Sequence, residues 1–382
     1  MSPVPWRPPP RALRISLGVG GAGILLTGLG VWLDPGRALV SYCFAFAVWF
    51  SFGAGALLAL LAFHATGTQW ISPLRRIVEL LALSSILTVI AVLPLLIFMR
   101  RLYPWSVPGF FDSEPEKVLT FRAFYLQPWF FLLRSAVYMV LLAVGPWLLF
   151  RRSLANREGR VLGSALMPAT FFAATFACYD WLMSLTPAWW SEIYGLYVLT
   201  GGFVAAFATL VVLSIGAHQR KLVADVEVRP HFFNLGKLLF GFVCFWGYIA
   251  YDQYLLIWIA DKPHESSFYL IRSQHGWRAV FIALLLARFL VPFFALLSRP
   301  AKLHLGFLRA VCFELIAAHV FDMYWLVIPV SGERVPRWTD AAALVGVSGF
   351  YLAFLFWMFA RTPLATKPAL GVVATEAVPV EA

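Results

Sequence analysis

The chain has 382 residues, of which 61% are hydrophobic and only 13% charged, and its formal net charge is +11. A water-soluble domain carries about 25% charged residues, so this chain has too little polar surface to face water on all sides, and a soluble enzyme is excluded. Its basic residues sit in short loops between apolar blocks, which is the topology signal of a membrane protein and not the footprint of a nucleic-acid binder.

A hydrocarbon core is crossed by about 20 apolar residues in helical form. Ten blocks meet that length: 13–33, 38–63, 77–99, 128–150, 162–185, 193–217, 235–259, 277–297, 307–328 and 341–360. The expected fold class is therefore all-α and polytopic, with about ten transmembrane helices. Residues 1–12 form a short segment before the first span. That span is followed by Trp32-Leu33-Asp34-Pro35, not by a small-residue cleavage site, so it reads as retained. Residues 13–360 form the membrane domain, and 361–382 read as a disordered tail rich in Pro, Ala and Val. Lys and Arg are more numerous in the even-to-odd loops and near the ends of the chain, although Arg100 and Arg101 oppose the trend. The positive-inside rule then places both termini in the cytoplasm. A multi-pass membrane protein is expected.

Cys43, Cys178, Cys244 and Cys312 each lie within an apolar block, and no Cys-x-x-Cys occurs. They read as small buried side chains, not as metal or cluster ligands. Of the histidines only His319 lies well inside a span, so a bis-histidine haem is disfavoured and no metal site is expected.

An ionised group at the centre of a membrane helix costs about 2.5–3.5 kcal/mol on insertion scales, which makes each one a functional candidate. With odd-numbered spans running outward, Arg134, Asp180, Asp252, His319 and Asp322 fall in the outer half. His319 and Asp322 share a helix face. Asp180, Asp252 and Asp322 occupy matching depths, each ahead of a proline (Pro187, Pro263, Pro329), which hints at an internal repeat. His64, Glu79, Lys237 and Glu314 fall in the inner half, and Arg288 lies nearer mid-membrane. The structural alternative is that such charges simply hold a helix bundle together.

Specific strings narrow the reading. They are Tyr179-Asp180-Trp181-Leu182-Met183-Ser184-Leu185-Thr186-Pro187, Asn234-Leu235-Gly236-Lys237, Phe245-Trp246-Gly247-Tyr248-Ile249-Ala250-Tyr251-Asp252-Gln253-Tyr254, and Asp322-Met323-Tyr324-Trp325-Leu326-Val327-Ile328-Pro329. With Arg75-Arg76-Ile77-Val78-Glu79 after His64, they resemble the NrfD-like membrane subunits of alternative complex III, a bacterial quinol:cytochrome c oxidoreductase. The smaller of its two such subunits is the nearer match. The likeness runs over residues 41–359.

The resemblance implies about ten helices, eight of them in two related four-helix bundles, and no cofactor held by this chain. It implies quinol or menaquinol as ligand, with haem c and iron–sulfur clusters in partner subunits. Those partners would be an iron–sulfur subunit, multihaem cytochrome c subunits and a sister NrfD-like subunit, with a terminal oxidase as a further associate. Carried onto this chain, an outer quinone pocket falls on Asp180, Asp252, His319 and Asp322, with Arg134 beside them. An inner proton path falls on His64, Glu79, Lys237 and Glu314, with Arg288 beside them. His319 next to Asp322 is the expected acceptor for a quinol hydroxyl. Two other classes compete: a secondary transporter, and an NrfD-type anchor of another redox enzyme such as polysulfide reductase. Against the transporter, no pair of short, glycine-broken helices stands in matching halves.

Overall fold

The computed structural model describes residues 6, 10–113, 122–155, 157–222, 229–274, 276–332 and 335–364. The tail expected to be disordered lies almost wholly outside them. Among the described residues the chain is helical, without a β-strand. Ten helical segments are long and apolar enough to cross a membrane. They are Arg11–Leu33, Pro35–Ala65, Ser72–Ile97, Pro128–Leu154, Arg160–Leu185, Tyr194–Gln219, Pro230–Ala260, Trp277–Leu297, Leu305–Ser331 and Trp338–Arg361, here spans 1 to 10. The protein is an all-α polytopic membrane protein.

Proline sets several helix starts and both irregular spans. Span 2 begins on Pro35 at a first-turn position, where no N–H is needed, and Asp34 caps it by accepting the Arg37 N–H at 3.3 Å. Span 3 is not one helix. It breaks into short pieces, with a 3₁₀ stretch at Leu83–Ile86 and Pro94 near the start of its last segment within the membrane. There Ser85 donates across to the Leu142 carbonyl of span 4 at 2.7 Å, so a loosened turn is tied to a neighbour. Span 8 carries a π turn, Leu286–Leu290, immediately before Pro292. Pro292 has no N–H to give the Arg288 carbonyl four residues back, and its ring crowds that carbonyl. The helix widens there, at the turn that presents Arg288.

Spans 2 to 5 pack as one bundle and spans 6 to 9 as another. Spans 1 and 10 pair with each other along the flank of span 2. Span 2 is the central post, almost wholly buried, whereas span 1 is largely exposed. The two bundles meet where spans 2 and 6 cross backbone to backbone. A Cβ on Gly202 would run into the Ser51 carbonyl, and one on Gly55 into the Phe203 backbone. Small residues let membrane helices approach in this way. Replacing Gly202 by alanine is expected to destabilise the chain by about 3 kcal/mol, the upper end for overpacking. Gly216→Ala, where a Cβ meets nothing, is the control. Thermal unfolding in detergent should separate the two, and equal melting temperatures would contradict the close crossing.

Candidate functional site

Three buried polar clusters that hold the sequence candidates, and one large cavity, stand inside the membrane region. The first cluster belongs to the bundle of spans 2 to 5. Arg134 grips Asp180 with two parallel bonds, Nε to Oδ2 at 2.8 Å and Nη2 to Oδ1 at 2.9 Å. Tyr138 adds a hydroxyl bond to Oδ2 at 2.9 Å. The third guanidinium edge donates to the Tyr125 carbonyl at 2.8 Å, and the cation lies 3.7 Å from the Tyr125 ring centroid. Next to Asp180, Trp181 is packed between Phe46, Phe50 and Tyr138 and donates its N–H to Ser135. A forked, fully bonded ion pair in a filled core is a structural lock.

The second cluster belongs to spans 6 to 9 and is built differently. Arg288 lies 3.2 Å from Asp322, but its Nε–H and the carboxylate oxygen do not align as a hydrogen bond. Asp322 instead accepts from the Tyr197 hydroxyl. Arg288 also reaches His319, with Nη2 3.1 Å from Nδ1, and its cation sits 4.8 Å from the Trp246 ring centroid. An arginine can only donate, so Nδ1 of His319 accepts. The proton of the neutral ring is then on Nε2, which faces Ser51 Oγ at 3.0 Å. Gly201 makes room for the guanidinium: a Cβ there would stand 2.6 Å from Arg288 Nη2.

The third cluster is on the predicted inner side. Glu79 is fully buried between Arg75 at 3.0 Å and Arg76 at 2.7 Å. His64 Nε2 lies 3.4 Å from Arg75 Nη2. The imidazole is wedged against Gly159 and Gly163, where any Cβ would strike it. A cavity of about 30 Å³ adjoins His64, Thr68 and Arg75, enough for a water molecule.

The large cavity, about 590 Å³, lies among spans 6 to 9. Its walls are aromatic and aliphatic, with Trp246, Phe281 and Trp325 among them, and Tyr197 and Gln253 supply polar groups. Tyr248, Tyr251 and Leu285 also line it and are exposed on the lipid-facing surface. The chamber therefore opens sideways toward the bilayer between spans 7 and 8. A short helix, Pro263–Ile271, contributes Phe268 to its wall. That helix is held by Arg272, which donates to the carbonyls of Phe268 at 3.0 Å, Trp325 at 3.2 Å and Leu326 at 2.6 Å. Burial pulls the Arg272 guanidinium down to about 10, so it remains a cation at neutral pH. Trp189 stacks on Phe268 from the other side, with ring centroids 4.1 Å apart.

Comparison with known proteins returns no matching family model and no matching curated protein.

The placement of the sequence candidates requires corrections. Asp180, Asp252, His319 and Asp322 do not line one pocket: none of them touches the large cavity. Asp180 and Asp322 engage separate arginines in separate bundles. Asp252 is half-buried and makes no ion pair or side-chain hydrogen bond, on a face of span 7 turned away from the chamber. His319 is not free to accept a hydroxyl, because Arg288 and Ser51 occupy both ring nitrogens. Arg288 belongs with the outer network, not with an inner path. Lys237 is exposed, its ammonium 4.9 Å from the Phe233 ring centroid, and does not join His64 and Glu79. Glu314 is half-buried, with both oxygens shut away and unpaired. The repeat is twofold, not threefold: Arg134 and Asp180 on the last two helices of the first bundle correspond to Arg288 and Asp322 on the last two of the second. Pro187 and Pro329 follow the two acids at the same interval, and Asp252 does not share it.

Sequence reasoning also missed residues. Tyr197 carries the contact to Asp322, and its signal was a tyrosine one turn after Tyr194 at a span end, easily taken for an interfacial belt. Arg37, buried at the start of span 2, pairs with Asp340 of span 10 at 2.7 Å, with Ser41 bonded to both. Both charges were legible, but their partnership across nearly the whole chain was not.

Proposed function

We propose that this chain is a membrane subunit of a bacterial respiratory quinol:cytochrome c oxidoreductase of the alternative complex III type, and that the chamber among spans 6 to 9 receives the quinol ring. The observation that carries the reading is the join between that chamber and the buried charge network. An apolar cavity of about 590 Å³ suits a ring with an isoprenoid tail, and its opening toward lipid suits a substrate that never leaves the bilayer. One of its few polar wall groups, the Tyr197 hydroxyl, donates to Asp322. Its own proton is thus committed to the carboxylate, which leaves its oxygen as an acceptor for a quinol hydroxyl.

Oxidation of a quinol to a quinone releases two protons and two electrons. The first proton passes to Tyr197 as Tyr197 passes its own to Asp322. Once Asp322 has discharged toward the outer side, the same pair takes the second. The two electrons would be taken up by an iron–sulfur centre and multihaem cytochrome c held by partner subunits, while this chain's own residues handle the protons. Arg288 supplies a counter-charge 3.2 Å from Asp322 Oδ2 without hydrogen-bonding it, so that oxygen is left open to take a proton. The Arg134–Asp180 lock is the counterpart that holds the other bundle shut. In this reading the chain lies in the inner membrane with both termini in the cytoplasm, beside a sister subunit of the same type.

Tagging the chain, extracting it in mild detergent and recording its optical spectrum and co-purifying proteins tests the proposal. A c-type haem spectrum with an iron–sulfur subunit and a larger sister subunit is expected. A colourless, partner-free chain under the mildest extraction would overturn it and favour a transporter.

A further inference from the structure

Gln253 is the one uncharged amide in the chamber wall. It is 3% exposed, and its side-chain oxygen is shut away from solvent without a hydrogen-bond partner. A buried amide oxygen left unpaired is costly and uncommon in a folded protein. The adjacent acid, Asp252, faces elsewhere, so the amide is not there to satisfy a neighbouring charge. Its surroundings are aromatic and apolar, and the unmet hydrogen bond points to a ligand that fills the chamber and supplies it.

We infer that Gln253 orients the ring of the chamber's occupant and does so in both redox states of a quinone–quinol couple. This rests on the reading of the chamber given above. An amide both donates and accepts. Its N–H bonds the carbonyl oxygen of an oxidised ring, and its oxygen accepts from the hydroxyl of a reduced one. Tyr197 is different in kind. Its proton is directed at Asp322, so it can only accept, and it recognises the hydroxyl of the reduced form alone. The two groups stand on different helices, spans 6 and 7, so the ring is held from two directions. Gln253 then fixes position whichever form is bound, and Tyr197 distinguishes quinol from quinone. Gln253 acts as a positioning residue, and proton transfer stays with Tyr197 and Asp322.

The test uses the assembled complex in lipid nanodiscs and two readouts. One is alkylation of Cys244 by N-ethylmaleimide, followed by peptide mass spectrometry. Cys244 lines the chamber and is half-exposed, whereas Cys43, Cys178 and Cys312 are buried. The other is the rise in melting temperature on adding a short-tailed naphthoquinone or its quinol. In the native complex both redox forms are expected to protect Cys244 and raise the melting temperature. In Gln253→Leu the concentration for half-effect should rise about tenfold for both forms, the loss of one hydrogen bond at the upper end of its usual worth. The ligand-free complex should melt no lower, because an unpaired amide oxygen has been removed. In Tyr197→Phe only the quinol should weaken. Unchanged half-effect concentrations in Gln253→Leu, or weakening of one redox form only, would overturn the inference and leave the chamber reading standing. A lower melting point without ligand would assign Gln253 a structural role and overturn it equally. If neither form affects the native complex by either readout, the chamber reading itself falls.

Discussion

Replacing Arg288 by leucine is expected to cost the chain about 3–5 kcal/mol, the toll for stranding one member of a buried ion pair. Asp322 is fully buried and would keep only the Tyr197 hydroxyl, and His319 would lose the donor on its Nδ1. Restoring apolar character on both sides, as Arg288→Leu with Asp322→Leu, should recover most of that loss. A buried pair exchanged for well-packed hydrocarbon is often neutral in stability. The comparison is an exposed pair, Lys262 with Glu265 at 3.5 Å, where Lys262→Ala should change stability by less than about 1 kcal/mol. Denaturant unfolding in mixed micelles reads all three. If the double variant is as unstable as the single one, the cost lies in packing at the π turn and not in the stranded charge.

That experiment bears on why the sequence could be followed only part of the way. Ten spans were legible because hydrocarbon thickness fixes a length that any apolar block either meets or does not. Charges within those blocks were legible for the same reason. Depth along a helix was readable, but the direction in which a side chain leaves it was not. Arg288 was placed near mid-membrane and linked to an inner path. The π turn forced by Pro292 presents it to Asp322 instead. Asp252 and Lys237 lie in strings as suggestive as those around Asp180, yet each faces away from the polar clusters. Periodicity alone cannot tell which face of a helix that is apolar all round meets a partner. The correspondence between bundles was half visible in Asp180 and Asp322. It became clear only when each acid was found with an arginine on the preceding helix. The chamber itself had no sequence signal, since a cavity is made by what four helices leave unfilled.

The correspondence also sets up the sharpest functional contrast. Asp322→Asn keeps the shape of the side chain and a bond from Tyr197, but removes the base that would accept the quinol proton. Turnover should fall by about 100-fold or more, the usual share of a positioned acid–base group, with the complex still assembled. Asp180→Asn changes the same residue type at the equivalent place in the other bundle. There the acid is gripped by Arg134 and Tyr138 and walled off by Trp181, so the expected loss is in stability and yield, with turnover per assembled complex near the native value. Quinol-to-cytochrome c turnover and proton release in membrane vesicles, each normalised to assembled complex, separate the two outcomes. Full turnover and proton release in Asp322→Asn would remove Asp322 from the reaction, and Tyr197 with it, because the tyrosine's acceptor role depends on where its own proton is sent. An equal loss of turnover in Asp180→Asn would mean that both bundles take part in the chemistry, and that the sealed pair at Arg134 opens during the cycle.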